Sequence, residues 1–201
     1  MTTQRTSLPA WCKHVASNPD RYAIIDTETT GLYGECIDLA IVDPTGKVLF
    51  NELLRPKCPI EEGATAIHGI TESMVAEART FKQVWPIIQM AIEGRTIIAY
   101  NAAFDRARFE HTAKVHGVTL PELKWYCAMK AYAAFWDEPN RYGYSSPAWQ
   151  KLDAACRQQG IDFTQGHRAL SDALATASLI RRLAELGNEA RRWSVEVLEE
   201  V

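Results

Sequence analysis

Two hydrophobic rhythms alternate along this 201-residue chain: short unbroken apolar runs, and longer stretches in which apolar residues recur every three or four positions. Residues 22–25, with adjacent isoleucines Ile24 and Ile25, read as a strand buried on both faces in the middle of a sheet. Residues 36–42 and 47–54 read as two more strands, joined by Asp43-Pro44-Thr45-Gly46, a run of turn-forming residues. The first three strands therefore form a meander. Thr80 followed by Gln83 matches a capping box that opens an amphipathic helix through Phe81, Val84, Ile87, Ile88 and Ala91, with Pro86 expected to delay or kink its start. Residues 96–100 are another buried strand, and 104–116 a helix closed by Gly117.

Further along, residues 125–129 predict a short strand running into a helix over 130–135. Residues 136–146, rich in aromatic residues, Pro, Gly and Asn, predict an irregular insertion. Trp149, Leu152 and Cys156 mark one face of a helix ending at Gly160, and the longest helical pattern runs from 168 to about 186. Trp193, Val197 and Val201 fit a last amphipathic turn or two. The order of elements implies an α/β domain, a mixed central sheet flanked by helices. The expected organisation is an N-terminal extension over 1–20, a main domain over 21–187 and a helical tail over 188–201.

Composition narrows the picture without changing it. At 47% apolar the chain can bury a sizeable core as one globular domain. The first twenty residues lack the apolar core of a signal peptide, and no stretch approaches the length that spans a bilayer, so a soluble cytoplasmic protein with no membrane partner is expected. Its five cysteines are odd in number, scattered, and never fall in a C-x-x-C pair, which argues for reduced thiols and against a disulfide framework or a zinc site. A net charge of −3 does not suit a protein that coats duplex DNA. A polyanion could still be attracted locally by cations and by Arg55, Arg106 and Arg108, although a solvated surface role accounts for these arginines equally well.

The candidate chemistry lies in five polar residues beside these elements: Asp26, Glu28, Asp105, His167 and Asp172. Asp26 and Glu28 are two apart at the end of a central strand, so both carboxylates point to one side. Asp105 follows the strand over 96–100 at the opening of a helix, the sheet edge where α/β proteins tend to bind ligands. Asp172 shares the face of Ala169, Thr176, Leu179 and Leu183, at about 100° per residue, so a carboxylate is aimed along the core side and needs a cation, hydrogen bonds or a shifted pKa. His167 is about 140° away on that helix, in the loop or first turn, where Gly166 permits a turn and an imidazole suits proton transfer. Taken singly, each acid has a plainer reading as solvated surface. Together at one edge they would repel unless divalent ions neutralised them, and all-oxygen ligands point to Mg²⁺ or Mn²⁺. His14, His111 and His116 read as surface or packing residues.

Three blocks frame the five residues: Ile25-Asp26-Thr27-Glu28-Thr29-Thr30-Gly31-Leu32, Tyr100-Asn101-Ala102-Ala103-Phe104-Asp105 and His167-Arg168-Ala169-Leu170-Ser171-Asp172-Ala173. With a weaker block around Ile67-His68-Gly69, the chain over about 22–186 resembles the DEDDh 3′→5′ exonucleases, the group of the polymerase III epsilon subunit, exonuclease X, ribonuclease T and oligoribonuclease. The resemblance implies a ribonuclease H-like fold and two-metal-ion hydrolysis, with two ions held by Asp26, Glu28, Asp105 and Asp172, and His167 as general base. It places Thr29, Leu32, Ile67, His68 and Phe104 at the terminal nucleotide, Leu32 as a wedge, with Asn101 supporting the pocket. Tyr100, where histidine is frequent, and Cys127-Ala128 depart from common family patterns and leave the subfamily open.

The function expected is release of 5′-mononucleotides from a 3′ end of single-stranded or 3′-terminal nucleic acid, with DNA favoured. Alternatives are a 3′→5′ exoribonuclease or oligoribonuclease, and a nuclease-fold binding module docked on a DNA polymerase or repair complex through residues 189–201. A homodimer is compatible with any of these. Tyr132, Phe135, Trp136, Tyr142, Tyr144 and Trp149 could stack single-stranded bases. The reading we favour for them is a satellite core under a long loop.

Overall fold

The apolar runs become a five-stranded mixed sheet. The structure is a computed structural model that describes residues 6–140, 147–163, 166–186 and 192–193. Its elements are β1 (Thr6–Ser7), α1 (Leu8–Ala16), β2 (Tyr22–Thr29), β3 (Cys36–Val42), β4 (Val48–Leu53), α2 (Glu62–His68), α3 (Glu72–Val75), α4 (Phe81–Ile92), β5 (Thr96–Ala99), α5 (Ala102–Val115), β6 (Trp125–Cys127), α6 (Ala128–Trp136), α7 (Leu152–Gln158), α8 (Ala169–Ala184) and β7 (Arg192–Trp193). The main sheet has the order β4-β3-β2-β5-β6, so β2 is central. It pairs antiparallel with β3, with Glu28 opposite Asp38, and parallel with β5. β2 to β4 are the expected meander, and the parallel β5 and β6 follow through helical crossovers.

Two helical layers cover this sheet. α8 packs on β2 and β3 with α1 beside it, burying Leu8, Trp11, Cys12 and Val15 of α1 against the same core as Leu179, Ile180 and Leu183. α4 and α5 cover the other side, where Phe109 meets Phe81 edge-on at 5.4 Å and Trp125 at 6.1 Å. The residues expected to form an N-terminal extension thus contribute a helix to the core. Four cysteines are buried and Cys58 is exposed, and all five are free thiols. No described helix is long and apolar enough to cross a membrane.

Several boundaries differ from the sequence pattern for physical reasons. Gln83 Oε1 accepts from Thr80 N at 2.8 Å, and this closure starts α4 at Phe81 with Pro86 inside it. Pro86 neither delays the helix nor ends it; its ring lies on the exposed face. α2 and α3 are too short and too exposed to show a hydrophobic period, and α2 ends on Gly69 at φ 71°. Trp149 is outside α7 and 66% exposed, so it does not share the buried face of Leu152 and Cys156. Arg192–Trp193 pairs as a strand with Thr6–Ser7, where a helical turn was expected. The rest of that tail, and Tyr142 and Tyr144, lie outside the described residues.

Candidate active site

β2 ends at the cleft. Alternation turns Asp26 and Glu28 toward α8, whose first turn carries Asp172, buried at 6% exposure. Carboxylate oxygens of Glu28 and Asp172 and a ring nitrogen of His167 all lie within 4.8 Å of one another. Asp105 enters from the opposite layer on the first turn of α5, and Thr27, the residue between the two strand acids, donates its hydroxyl to Asp105 Oδ1 at 3.0 Å. The five residues line one cleft of about 340 Å³ together with Asn101, Phe104, Tyr100, Met129 and Lys151. A roomier cavity of about 550 Å³ at the start of β6 lacks any such cluster. Chemistry, not volume, locates the site.

Burial leads the electrostatics, and crowding adds to it. Burial first, then the charges of Asp105, Asp172, Glu28 and Asp38, drive the Asp26 carboxyl well above its usual range. Glu28 is pushed up to about 8 by burial and by Asp172, Asp38 and Asp105, with Arg168 opposing. Burial raises Asp105 to about 7, and the Thr27 hydroxyl holds it back. Asp26, Glu28 and Asp105 are therefore costly to ionise alone, while with Asp172 and His167 they offer several hard oxygens and one imidazole to a single point. That donor set fits a divalent cation.

The remaining sequence candidates divide into two groups. Asn101 and Phe104 line the cleft, whereas Thr29, Leu32, Ile67 and His68 continue from the end of β2 toward α2. Leu32 and Ile67 are 63% and 60% exposed, which leaves both accessible to a ligand. His68 is a brace: its Nδ1 accepts from Ile70 N at 3.0 Å, which leaves Nε2 to donate to Thr29 O at 3.1 Å. Gly31 lets Glu61 pass where a Cβ would lie 2.2 Å from the Glu61 carboxyl. Of the three arginines, Arg106 pairs with Glu110, Arg108 lies over the Tyr33 ring at 5.7 Å, and Arg55 donates to Ala76 O. His116 is buried on Glu35 at 2.7 Å, the packing role expected of it. Tyr132 is buried, but Trp136, which stacks on it, and Trp149 are both exposed, so the core reading holds for Tyr132 and not for the two tryptophans.

Sequence reasoning missed two residues here. Thr27 was hidden between two acids, although the same alternation that pairs Asp26 with Glu28 must send it toward α5. Asp38 was hidden in an apolar strand, and an acid in that setting is itself a signal, because it must find a partner.

A mixed α/β sheet whose central strand delivers paired carboxylates to two helix starts and a histidine defines a nuclease-type hydrolase. The chain belongs to the RNase T exonuclease family, whose model matches residues 23–180. It is 35% identical over 178 residues to an uncharacterized exonuclease of Escherichia phage 186, covering 84% of this chain and 90% of the relative. It is 34% identical over 186 residues to exodeoxyribonuclease 10 of Escherichia coli K12, covering 89% of this chain and 73% of the relative. The solved structure of exonuclease X in complex with 5′ overhanging duplex DNA superposes with a TM-score of 0.64 at 30% identity, covering 89% of this chain and 98% of that one.

Proposed function

We propose that the protein is a metal-dependent 3′→5′ exonuclease that removes 5′-mononucleotides from nucleic acid, with DNA preferred. The observation that carries this reading is the convergence of Asp26, Glu28, Asp105, Asp172 and His167 on one cleft at the end of the central strand. The four carboxylates would hold two Mg²⁺ or Mn²⁺ ions, which when bound supply charge neutralisation at the scissile phosphate and at its attacking and leaving oxygens. His167 takes the proton from the attacking water, work that imidazole performs near neutral pH. Attack breaks the P–O3′ bond, leaving a 5′-phosphate on the released nucleotide and a new 3′-hydroxyl on the strand. Thr27 keeps Asp105 turned into the cleft through its 3.0 Å hydrogen bond. The exposed Leu32 and Ile67, with Phe104, present apolar surface to the terminal base, and Asn101 lines the cleft with Phe104.

The DNA preference is supported by the relatives: one is named an exodeoxyribonuclease and the exonuclease X structure contains duplex DNA. Matched DNA and RNA oligonucleotides incubated side by side with the full chain and Mg²⁺ test it. Faster loss of 3′ nucleotides from DNA is expected; faster loss from RNA overturns the preference and makes the protein an exoribonuclease. A polymerase or repair complex is the partner that fits such an activity, and co-purification with one would test that association.

A further inference from the structure

The chain leaving His167 is tied to the sheet by a residue that the chemistry above does not use. Asp38, on β3, is opposite Glu28 in the β2–β3 register and only 2% exposed. Its Oδ2 accepts from Arg168 Nε at 2.8 Å and from Ala169 N at 3.3 Å. These are the two residues that follow His167. Ala169 N is one of the first amides of α8, which have no partner inside the helix, and an anion is favoured at that end. Arg168 and the helix start therefore meet the charge of a carboxylate that would otherwise be costly in an apolar strand.

His167 itself has φ of 43°. A non-glycine residue in the left-handed region is strained and persists where its surroundings hold it. On its far side is Gly166, which has no side chain to restrain the turn, so the restraint comes from Arg168 and Ala169. We infer that Asp38, through Arg168 and Ala169, is the positioning residue that holds His167 over the carboxylate cluster, and that it is not a fifth ligand of that cluster. The inference rests on His167 acting as the proposed base.

The test compares the full-length protein with Asp38→Ala, His167→Ala and the double variant, measuring kcat and KM for Mg²⁺-dependent nucleotide release from 3′-labelled single-stranded DNA. Asp38→Ala should lower kcat by roughly 10–100-fold, short of the full loss of a general base, with KM changed by less than about 3-fold. In the His167→Ala background the same substitution should cost nothing further, because a residue acting through His167 has nothing left to act on. Asp38→Asn, which keeps the volume and an acceptor for Arg168 and Ala169, should lose less of kcat than Asp38→Ala and bind Mn²⁺ in calorimetry as tightly as the wild type; Asp38→Leu, which keeps the volume without an acceptor, replaces Asp38→Ala throughout if that variant does not fold. An independent loss in the His167→Ala background, or weakened Mn²⁺ binding, overturns the positioning role while leaving the exonuclease reading intact. Absence of turnover in the wild type overturns both.

Discussion

Removing divalent cations should make the stability of this protein fall as pH rises. Glu28 and Asp105 hold their protons up to about 8 and about 7 in the folded chain, from ordinary values of 4.5 and 3.8, because burial and neighbouring carboxylates disfavour their charged forms. Folded-state values raised in this way mean that the folded protein binds more protons than the unfolded chain between those limits. The associated stability is fully present below about pH 4 and is lost as pH rises through 7 to 8. Each pKa unit corresponds to ~1.4 kcal/mol. The cleft is open to water and its carboxyls hold protons as a group, so about half the nominal cost applies, ~2–3 kcal/mol between pH 5.5 and 8.5. For a domain of this size that is roughly 4–12 °C in Tm. Calorimetric melts from pH 5.5 to 8.5, in chelator and in excess Mg²⁺, measure it, and the difference between the two series cancels groups remote from the cleft. The expected gap is small at pH 5.5 and widens toward pH 8.5, since a cation needs deprotonated ligands and stabilises the form that binds it. Parallel series with no widening gap would show that the cleft carboxyls do not set this pH dependence.

Three further outcomes follow from the same geometry. Asp26→Asn should raise Tm in chelator at pH 8, because it removes one of the crowded carboxylates, and should abolish stabilisation by Mg²⁺ in the same melts. His167→Ala should lower kcat by about 10²–10⁴-fold while leaving the Mg²⁺-induced shift in Tm in place, as read by paired kinetics and calorimetry. Thr27→Val keeps the shape of the side chain but removes the hydrogen bond to Asp105, a bond to a charged group worth ~1.5–3 kcal/mol; kcat should drop about 10–100-fold at that magnitude with little change in KM.

Much of this site was legible because its residues obey simple periodicities. Strand alternation is enough to pair Asp26 with Glu28, and helical phase is enough to turn Asp172 inward; His167 stands before the helix, where that phase does not apply, and its ring meets Glu28 and Asp172. The meander was readable from its unbroken apolar runs, and α5 and α8 from buried positions that recur every three or four residues. α1 was not, because an isolated nine-residue amphipathic stretch looks like an extension until α8 supplies the surface that it covers. α2 and α3 lack a buried stripe and are held by loop bonds such as Glu61 N to Thr30 O, which no period announces. Asp38 and Thr27 act across strands and layers, so their roles depend on pairings that become visible only when Glu28 meets Asp38 and α5 meets β2.

The proposed activity, release of nucleotides from a 3′ end, depends on the five converging side chains acting together. A single-stranded DNA oligonucleotide labelled at its 5′ end, incubated with the full chain in Mg²⁺, tests it most directly. A ladder that shortens one nucleotide at a time from the 3′ end is expected, with 5′-mononucleotides as the sole released product, halted by chelator and absent with Asp26→Asn. An intact strand in both Mg²⁺ and Mn²⁺, on DNA and on RNA alike, or internal fragments without a ladder, would contradict it.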